Sequence, residues 1–296
     1  MRITQGMLNS QMINDIQNNY QQLSQLQNEI ATGHQINTPA DSPVGVGMVM
    51  QYNSQLASYQ QYQANATSAQ GWLQNASSVM NEAQQIMQQA RTLAVQGAND
   101  TETQSDRQDI ATQVQELYQE LVTTGNSQYN GQYIFNGQDV TNAPYTNADA
   151  ASVNPNTGGV LYDVGTGSPL QVNTSGQDFF GSSADADNAF SILQNLQNAL
   201  NNNDQSGIEQ AITQIDSRSS AMEAAQTDVA TRQDRIQFAT SRLSDLTNNV
   251  TTLLSNVQDA NLAQVITNYE SAQNVQTASL EVGAQVLVPT LADFLK

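Results

Sequence analysis

The sequence predicts a mainly α fold, in which the N- and C-terminal halves form an elongated antiparallel coiled coil or helical bundle with a small β-rich inserted domain. Apolar residues recur every seven positions in both halves, as in helices that pack along a seam. Near residue 127 this pattern changes to short β-prone runs separated by Asn and Gly, which indicate hairpins. These changes divide the chain into five predicted segments: a terminal assembly helix with its turn (1–42), a first helical part (43–126), the β-rich insertion (127–186), a second helical part (187–260) and a C-terminal assembly helix (261–296).

Composition excludes several classes of function. The chain of 296 residues has a formal net charge of -19, from 8 basic and 27 acidic side chains, which disfavours nucleic acid and anionic membrane surfaces as partners. It has no cysteine, so disulfides and cysteine nucleophiles are excluded. No apolar run approaches the roughly 18 residues of a membrane span, and the opening "MRITQGMLNS" lacks the features of a secretory signal. We expect a protein without membrane insertion that is either cytoplasmic or exported without cleavage of a signal peptide.

The first helix is predicted from apolar residues spaced by threes and fours. These are Ile13, Ile16, Tyr20, Leu23, Leu26 and Ile30. Gly33 provides a helix stop, and Pro39 and Pro43 prevent continuation. Ser42 followed by Pro43 is typical of an N-cap and the first position of a new helix. Residues 33–43 therefore form a turn or spoke, to which we assign Gly33, Asn37, Pro39, Asp41 and Pro43.

Two longer helices carry the heptad pattern. In the first half, large apolar residues at positions 72, 79, 86 and 93 alternate with alanines at positions 69, 76, 83 and 90. This pattern predicts a seam that a partner helix approaches closely. In the second half, apolar residues fall every seven positions from Ile208 to Val257, after which the phase changes and we expect an interruption. Four arginines of this second helix are interleaved with acidic residues, which predicts a mixed, solvated face: Arg218, Arg232, Arg235 and Arg242.

The insertion is predicted from two Asn-Gly pairs, at 130–131 and 136–137, which flank the β-prone run 132–135. Asn-Gly favours the type I′ turn of a two-residue hairpin. Further short β-prone runs lie between glycines up to about residue 181, and a helical pattern resumes near Asp187.

The two terminal helical stripes have no evident partner except each other or a neighbouring subunit. A single helix of about 20–30 residues is marginal in water, so we expect both ends to be frayed in the monomer and to become ordered on assembly. The predicted assembly interface consists of Ile13, Ile16, Leu23, Leu26, Ile30, Leu262, Ile266, Tyr269, Leu280, Val286, Leu287, Leu291 and Phe294.

Residue types needed for chemistry are sparse. The one histidine, His34, lies in the breaker segment without a second candidate ligand nearby. The sequence has no phosphate-binding glycine loop, no nucleophile–base arrangement and no metal-ligand spacing. We therefore predict no enzyme, no catalytic residues, no cofactor and no metal.

The spoke also carries a resemblance. Thr32-Gly33, Ile36-Asn37 and Ala40-Asp41 are similar to the segment that follows the first helix in the bacterial flagellin family. Asp41-Ser42-Pro43, the run "GQYIFNG" at 131–137 and the tail "ASLEVGAQVLVPTLADFLK" resemble the branch of that family that forms the junction between hook and filament. One departure is His34-Gln35, which stands where the family usually carries a basic residue.

The resemblance implies a structural protein of the bacterial flagellum, secreted through the flagellar type III route. Its implied partners are the first hook-associated protein, flagellin, copies of itself in a ring, and an export chaperone that binds the C-terminal helix. The terminal helices would line an inner tube, with the coiled-coil domain outside it. Two alternatives stay open: a filament subunit of the same family, and a non-flagellar coiled-coil adaptor whose tail folds on binding.

Overall fold

The computed structural model describes the backbone of residues 5–287, and within that range it has seven helices and four short strands. The mainly α prediction is confirmed. In chain order the elements are α1 (Gln5–Thr32), α2 (Pro43–Gly97), α3 (Gln104–Gly125), β1 (Gln128–Tyr129), β2 (Gln132–Tyr133), β3 (Leu161–Asp163), β4 (Pro169–Gln171), α4 (Gly176–Phe180), α5 (Ala189–Asn201), α6 (Gln205–Gln258) and α7 (Leu262–Leu287).

The chain separates into two compact units. The end unit joins residues 1–58 to residues 246–296, and the middle unit is residues 59–245. The two longest helices, α2 and α6, each contribute residues to both units. The division into five segments made from the sequence stays a prediction.

In the middle unit, α2 and α6 run antiparallel. Arg91 Nε donates to Asp216 Oδ1 at 2.6 Å, and Gln226 Nε2 donates to Asn81 Oδ1 at 3.2 Å. As the α2 position rises from 81 to 91, its partner in α6 falls from 226 to 216, which fixes the opposite directions of the two helices. The guanidinium of Arg91 also lowers the pKa of Asp216 through this hydrogen bond.

The predicted seam is buried except at Leu93, which is half-buried. The alanines at 69, 76, 83 and 90 are fully excluded from solvent, and Trp72, Val79 and Ile86 are between 2% and 8% exposed. The α6 heptad positions from Ile208 to Ile236 are at most 1% exposed. Each large side chain buried in this way contributes about 1.5–3 kcal/mol, so the middle unit has a core of its own.

A second helix pair, α3 with α5, extends this core. Gln194 Nε2 donates to the hydroxyl oxygen of Tyr118 at 3.0 Å, and Gln197 Nε2 donates to Gln115 Oε1 at 3.2 Å, so these helices are also antiparallel. Beside them lies a buried group of aromatic rings with centroid separations of 4.6–6.2 Å, formed by Tyr118, Phe135, Tyr145, Phe179, Phe180 and Phe190. Burial raises the pKa of Tyr145.

The insertion contains two separate hairpins. β1 pairs antiparallel with β2 around Asn130 and Gly131, whose φ angles of 51° and 77° belong to the predicted type I′ turn. β3 pairs with β4 in the register Leu161 with Gln171. The expected strand at 132–135 is wrong beyond Tyr133, because the chain bends at residues 134–136 and turns Ile134 and Phe135 into the buried core.

The solvated face predicted for the α6 arginines is wrong at Arg218. Arg218 as a whole residue is only 5% exposed. Arg218 Nε donates to the carbonyl oxygen of Asp187 at 2.7 Å, Nη2 contacts Asp187 Oδ1, and Asp185 Oδ2 lies 3.7 Å from Nη2. Arg218 therefore fastens the segment before α5 to α6, whereas Arg235 and Arg242 are exposed as predicted.

We predict that Arg218→Leu lowers the free energy of unfolding by about 2–4 kcal/mol, because it leaves the carboxylate and carbonyl of Asp187 without their main donor. Urea unfolding followed by circular dichroism measures this. Arg235→Leu is the control on the same helix, and we expect it to change stability by less than about 0.5 kcal/mol. Equal effects of the two substitutions would contradict the role given to Arg218.

Candidate assembly surface

The terminal helices α1 and α7 pair with each other in the end unit. Asn19 Nδ2 donates to Ser279 Oγ at 3.2 Å, and Gln27 Nε2 donates to the hydroxyl oxygen of Tyr269 at 3.1 Å. The pairing is antiparallel, since the α7 position falls from 279 to 269 as the α1 position rises from 19 to 27. Both of these hydrogen bonds join side-chain amides to hydroxyls, and neither helix contains Lys or Arg.

The pair buries little of its apolar surface. Leu26 and Val265 are buried, at 8% and 7% exposure. A cavity of about 330 Å³ remains between the helices, lined by Leu26 and Val275 and otherwise mostly by polar side chains. Two helices each present only one stripe to the other, so apolar residues on neighbouring faces stay in solvent.

The predicted interface residues whose side chains the structure describes fall into three groups. Those exposed are Ile13, Leu262, Ile266 and Leu280, and those half-buried are Ile16, Leu23, Ile30 and Tyr269. Leu26 is buried against α7. Leu291 and Phe294 lie outside the described residues, as do the side chains of Val286 and Leu287.

The sequence reasoning missed several residues of the same surface. Met7, Leu8, Val275 and Val282 are each at least half exposed, and Gly283 is buried. A Cβ on Gly283 would lie 3.3 Å from Met12 Sδ and 3.5 Å from Ile16 Cδ1, so α1 and α7 approach closely there. Extending the spacing of threes and fours from Ile16 back to Met12 would have included this end of α1.

Residues 33–36 hold the end of α1 against the end of α6. The amide of Ala260 donates to the carbonyl of Gly33 at 2.8 Å, and the amide of Gln35 donates to the carbonyl of Gln258 at 2.7 Å. Gln35 Nε2 donates to the carbonyl of Val257 at 2.9 Å, which supplies partners for two carbonyls in the last turn of α6. His34 Nδ1 lies 3.1 Å from Asp259 Oδ1. The His34-Gln35 pair therefore contacts two carbonyls at the end of α6 and the carboxylate of Asp259 just after it.

The remainder of the spoke is a turn organised by Asp41. Its Oδ2 accepts hydrogen bonds from the amides of Thr38, at 2.7 Å, and Asn37, at 3.0 Å. These amides hold the pKa of Asp41 below its usual value, the Thr38 bond contributing most. The amide of Asp41 closes the turn on the carbonyl of Thr38 at 3.1 Å, which places Pro39 at the position that prefers proline.

The neighbouring side chains fix both ends of this turn. Asn37 Nδ2 donates to the carbonyl of His34 at 2.8 Å, and Ser42 Oγ accepts from the amide of Gly45 at 3.1 Å. α2 begins at Pro43, as predicted from the N-cap pattern. All five predicted spoke residues thus lie within one hydrogen-bonded connection, and Ile36, not assigned to it, packs where a Cβ on Gly45 would lie.

Within the range that the structure describes, no cluster of three or more His, Cys, Asp or Glu side chains is placed to hold a metal ion. None of the described helices is both long and apolar enough to cross a membrane. What this part of the chain offers is a pair of helices with exposed aliphatic and methionine side chains, connected to the rest by a tight turn.

Comparison with known proteins adds independent information. Residues 3–139 match the family described as the bacterial flagellin N-terminal helical region. A flagellin of Clostridium tyrobutyricum is 30% identical over 158 residues, which cover 53% of this chain and 42% of that protein. The flagellar hook-associated protein 3 of Salmonella typhimurium is 28% identical over 149 residues, covering 50% of this chain and 47% of that protein. The matches thus span less than half the length of these two relatives.

A solved structure with a similar fold is the crystal structure of the flagellar junction protein from Legionella pneumophila. It superposes with a TM-score of 0.59 at 15% sequence identity, and the match covers 71% of this chain and 99% of that one. At this identity the likeness shows a shared fold.

We predict opposite effects of one substitution at two glycines of the end unit. Gly33 has a φ of +74°, so Gly33→Ala should destabilise the unit by about 1–2 kcal/mol. Gly47 lies inside α2 with open space around it, so Gly47→Ala should stabilise by about 0.5–1 kcal/mol. Native-state hydrogen exchange of amides in α1 and in the first turns of α2 measures both. Unchanged protection in Gly33→Ala would show that the spoke does not depend on the left-handed conformation at Gly33.

Proposed function

Because residues 3–139 match the bacterial flagellin N-terminal helical region, we propose that the chain is the junction protein, hook-associated protein 3, that joins the hook to the flagellin filament. The single observation that carries this proposal is the apolar surface of the α1–α7 pair, on which Ile13, Leu262 and Ile266 are 45–48% exposed. A surface of this kind is typical of a subunit that completes its packing in an assembly. The role is structural and involves no catalysis.

The proposed partners follow from this role. On one side the protein contacts the first hook-associated protein and on the other side flagellin, while copies of the protein lie side by side in a ring. The terminal helices line the inner tube, and the predicted interface residues form the contacts there. Before assembly, an export chaperone covers the C-terminal helix at exposed residues such as Leu262, Ile266 and Leu280. The protein acts outside the cell, as part of the flagellum.

The Pro39 turn and the Asp41-Ser42-Pro43 entry into α2 support the junction role over the filament role, because these residues resemble the junction branch of the family. The similarity to the Salmonella protein, which is named a hook-associated protein 3, also supports it. A filament subunit is the second candidate, favoured by the similarity to the Clostridium flagellin. The two candidates differ in whether the protein polymerises alone.

Deletion of the gene tests the proposal directly. We expect hooks without filaments in electron micrographs, and flagellin monomers released into the medium, because flagellin would lack its attachment site. Purified protein added to filament seeds should form at most a short segment. Growth to micrometre-long filaments would instead identify a filament subunit, and normal motility of the deletion strain would indicate a non-flagellar adaptor.

A substitution on the assembly surface gives a residue-level prediction. Ile266→Asp should abolish filament attachment, since a carboxylate would be buried without a partner in the assembled tube. Leu23→Asp should do the same from α1. The middle unit should keep its unfolding midpoint in both variants, because neither residue contributes to its core.

The matched control for Ile266→Asp is Leu161→Asp, which adds the same charge at a side chain that is 62% exposed in the middle unit. It should leave filament attachment intact. Motility in soft agar and electron microscopy of cells producing each variant as the sole copy measure the outcome. Full attachment with Ile266→Asp and Leu23→Asp would overturn the assigned surface.

A further inference from the structure

A second exposed surface lies on α6 in the middle unit. Phe238 is 76% exposed, the largest exposure among the described large apolar side chains. Arg235 and Arg242 lie three residues before it and four after it, so all three occupy one face of the helix. Both arginines are exposed. We call this group the arginine–phenylalanine face.

These two arginines differ from the others that the structure describes. Arg91, Arg218 and Arg232 form ion pairs with Asp216, Asp187 and Asp228, and Arg107 is buried among backbone carbonyls and a side-chain amide. Arg235 and Arg242 make no ion pair or side-chain hydrogen bond with any described residue. Two unpaired guanidinium groups beside an exposed ring suit a partner that presents carboxylates around an apolar site.

The middle unit itself presents such a site between α2 and α3. A groove of about 500 Å³ there is lined by Leu93 and Leu117, with Glu116 and Glu120 on α3 beside them. The two glutamates are four residues apart on one helix face and exposed, and neither makes an ion pair or side-chain hydrogen bond with a described residue. We call this the glutamate groove. It matches the arginine–phenylalanine face in charge and in its apolar centre.

We propose that the arginine–phenylalanine face of one copy binds the glutamate groove of a second copy. The ring of Phe238 packs on Leu93 and Leu117, and the guanidinium groups of Arg235 and Arg242 bind the carboxylates of Glu116 and Glu120. The formal net charge of -19 otherwise makes copies repel one another, so a local pairing of opposite charges is needed for close approach.

This contact joins two different surfaces. Each copy that binds through its arginine–phenylalanine face leaves its own glutamate groove free for the next copy, so the contact repeats around a ring or along a helix. The inference extends the proposed function, which places copies side by side, but the contact is independent of the α1–α7 surface and is tested without flagella.

The absence of cysteine allows a direct test on the purified full-length chain. Ser241→Cys places a thiol one turn from Phe238, and Thr92→Cys places one at the glutamate groove. At high protein concentration, a short bismaleimide reagent should join copies of this double variant into dimers and longer ladders. A second pair, Ser241→Cys with Ser78→Cys, has its other thiol exposed on α2 about 21 Å from Thr92 along the helix and should yield few covalent species.

Charge exchange identifies the groups involved. In the Ser241→Cys, Thr92→Cys background, Arg235→Glu with Arg242→Glu should lower the cross-linked fraction by about tenfold, since like charges then face each other. Glu116→Arg with Glu120→Arg should do the same. The chain that carries all four charge substitutions should regain most of the cross-linking, because the opposite charges are paired again in exchanged positions. High salt should reduce cross-linking of the parent double variant.

Three results would overturn the contact: no cross-linking in the parent double variant, no loss on either charge reversal, or no recovery when the reversals are combined. Binding of flagellin that is lost with Arg235→Glu and Arg242→Glu, without cross-linking between copies, would assign the face to another partner and also overturn it. Hooks without filaments in the deletion strain test the proposed function separately, so failure of one idea is distinguishable from failure of the other.

Discussion

The packing of alanines and large apolar side chains between α2 and α6 is the constraint on which the rest of the middle unit depends. Alanines at every seventh position allow the backbones to approach, and the large residues beside them are excluded from water. The other elements attach to this seam: Trp72 meets Tyr129 of the first hairpin edge to face at 5.8 Å, and Arg218 holds the segment before α5. A long helix pair thereby gains enough buried surface to carry an insertion composed mostly of turns.

The end unit has a similar spacing of apolar residues but buries fewer of them. Its described large apolar side chains are mostly exposed or half-buried, with Leu26, Val250 and Val265 as the buried exceptions. The physical reason is the number of neighbours, because the described parts of α1 and α7 pack mainly against each other, whereas α6 in the middle unit packs against several elements. The same heptad-like spacing therefore produces a closed core in one unit and an open surface in the other.

Much of the architecture was predictable from local signals. Gly33, Pro39 and Pro43 marked the connection between α1 and α2, the loss of heptad phase after Val257 coincided with the end of α6, and Asn130-Gly131 identified the first hairpin. These features depend on residues close in sequence. The burial of Arg218 was not predictable in this way, since its acidic partner lies 31 residues earlier and beyond a helix boundary. The sequence also did not predict that Val265 is buried while its neighbour Ile266 is exposed. The reason is that the apolar stripe of α7 is wider than its contact with α1.

The surface formed by α1 and α7 contains few groups whose charge changes with pH. Between Gln5 and Thr32 and between Leu262 and Leu287 the helices contain only four ionisable carboxylates, at Asp15, Glu29, Glu270 and Glu281, among many amides and aliphatic side chains. Amides do not titrate, and the attraction between apolar groups is not screened by salt. Contacts made through α1 and α7 should therefore keep their strength from fresh water to brine and over a wide range of pH, which the proposed role outside the cell requires.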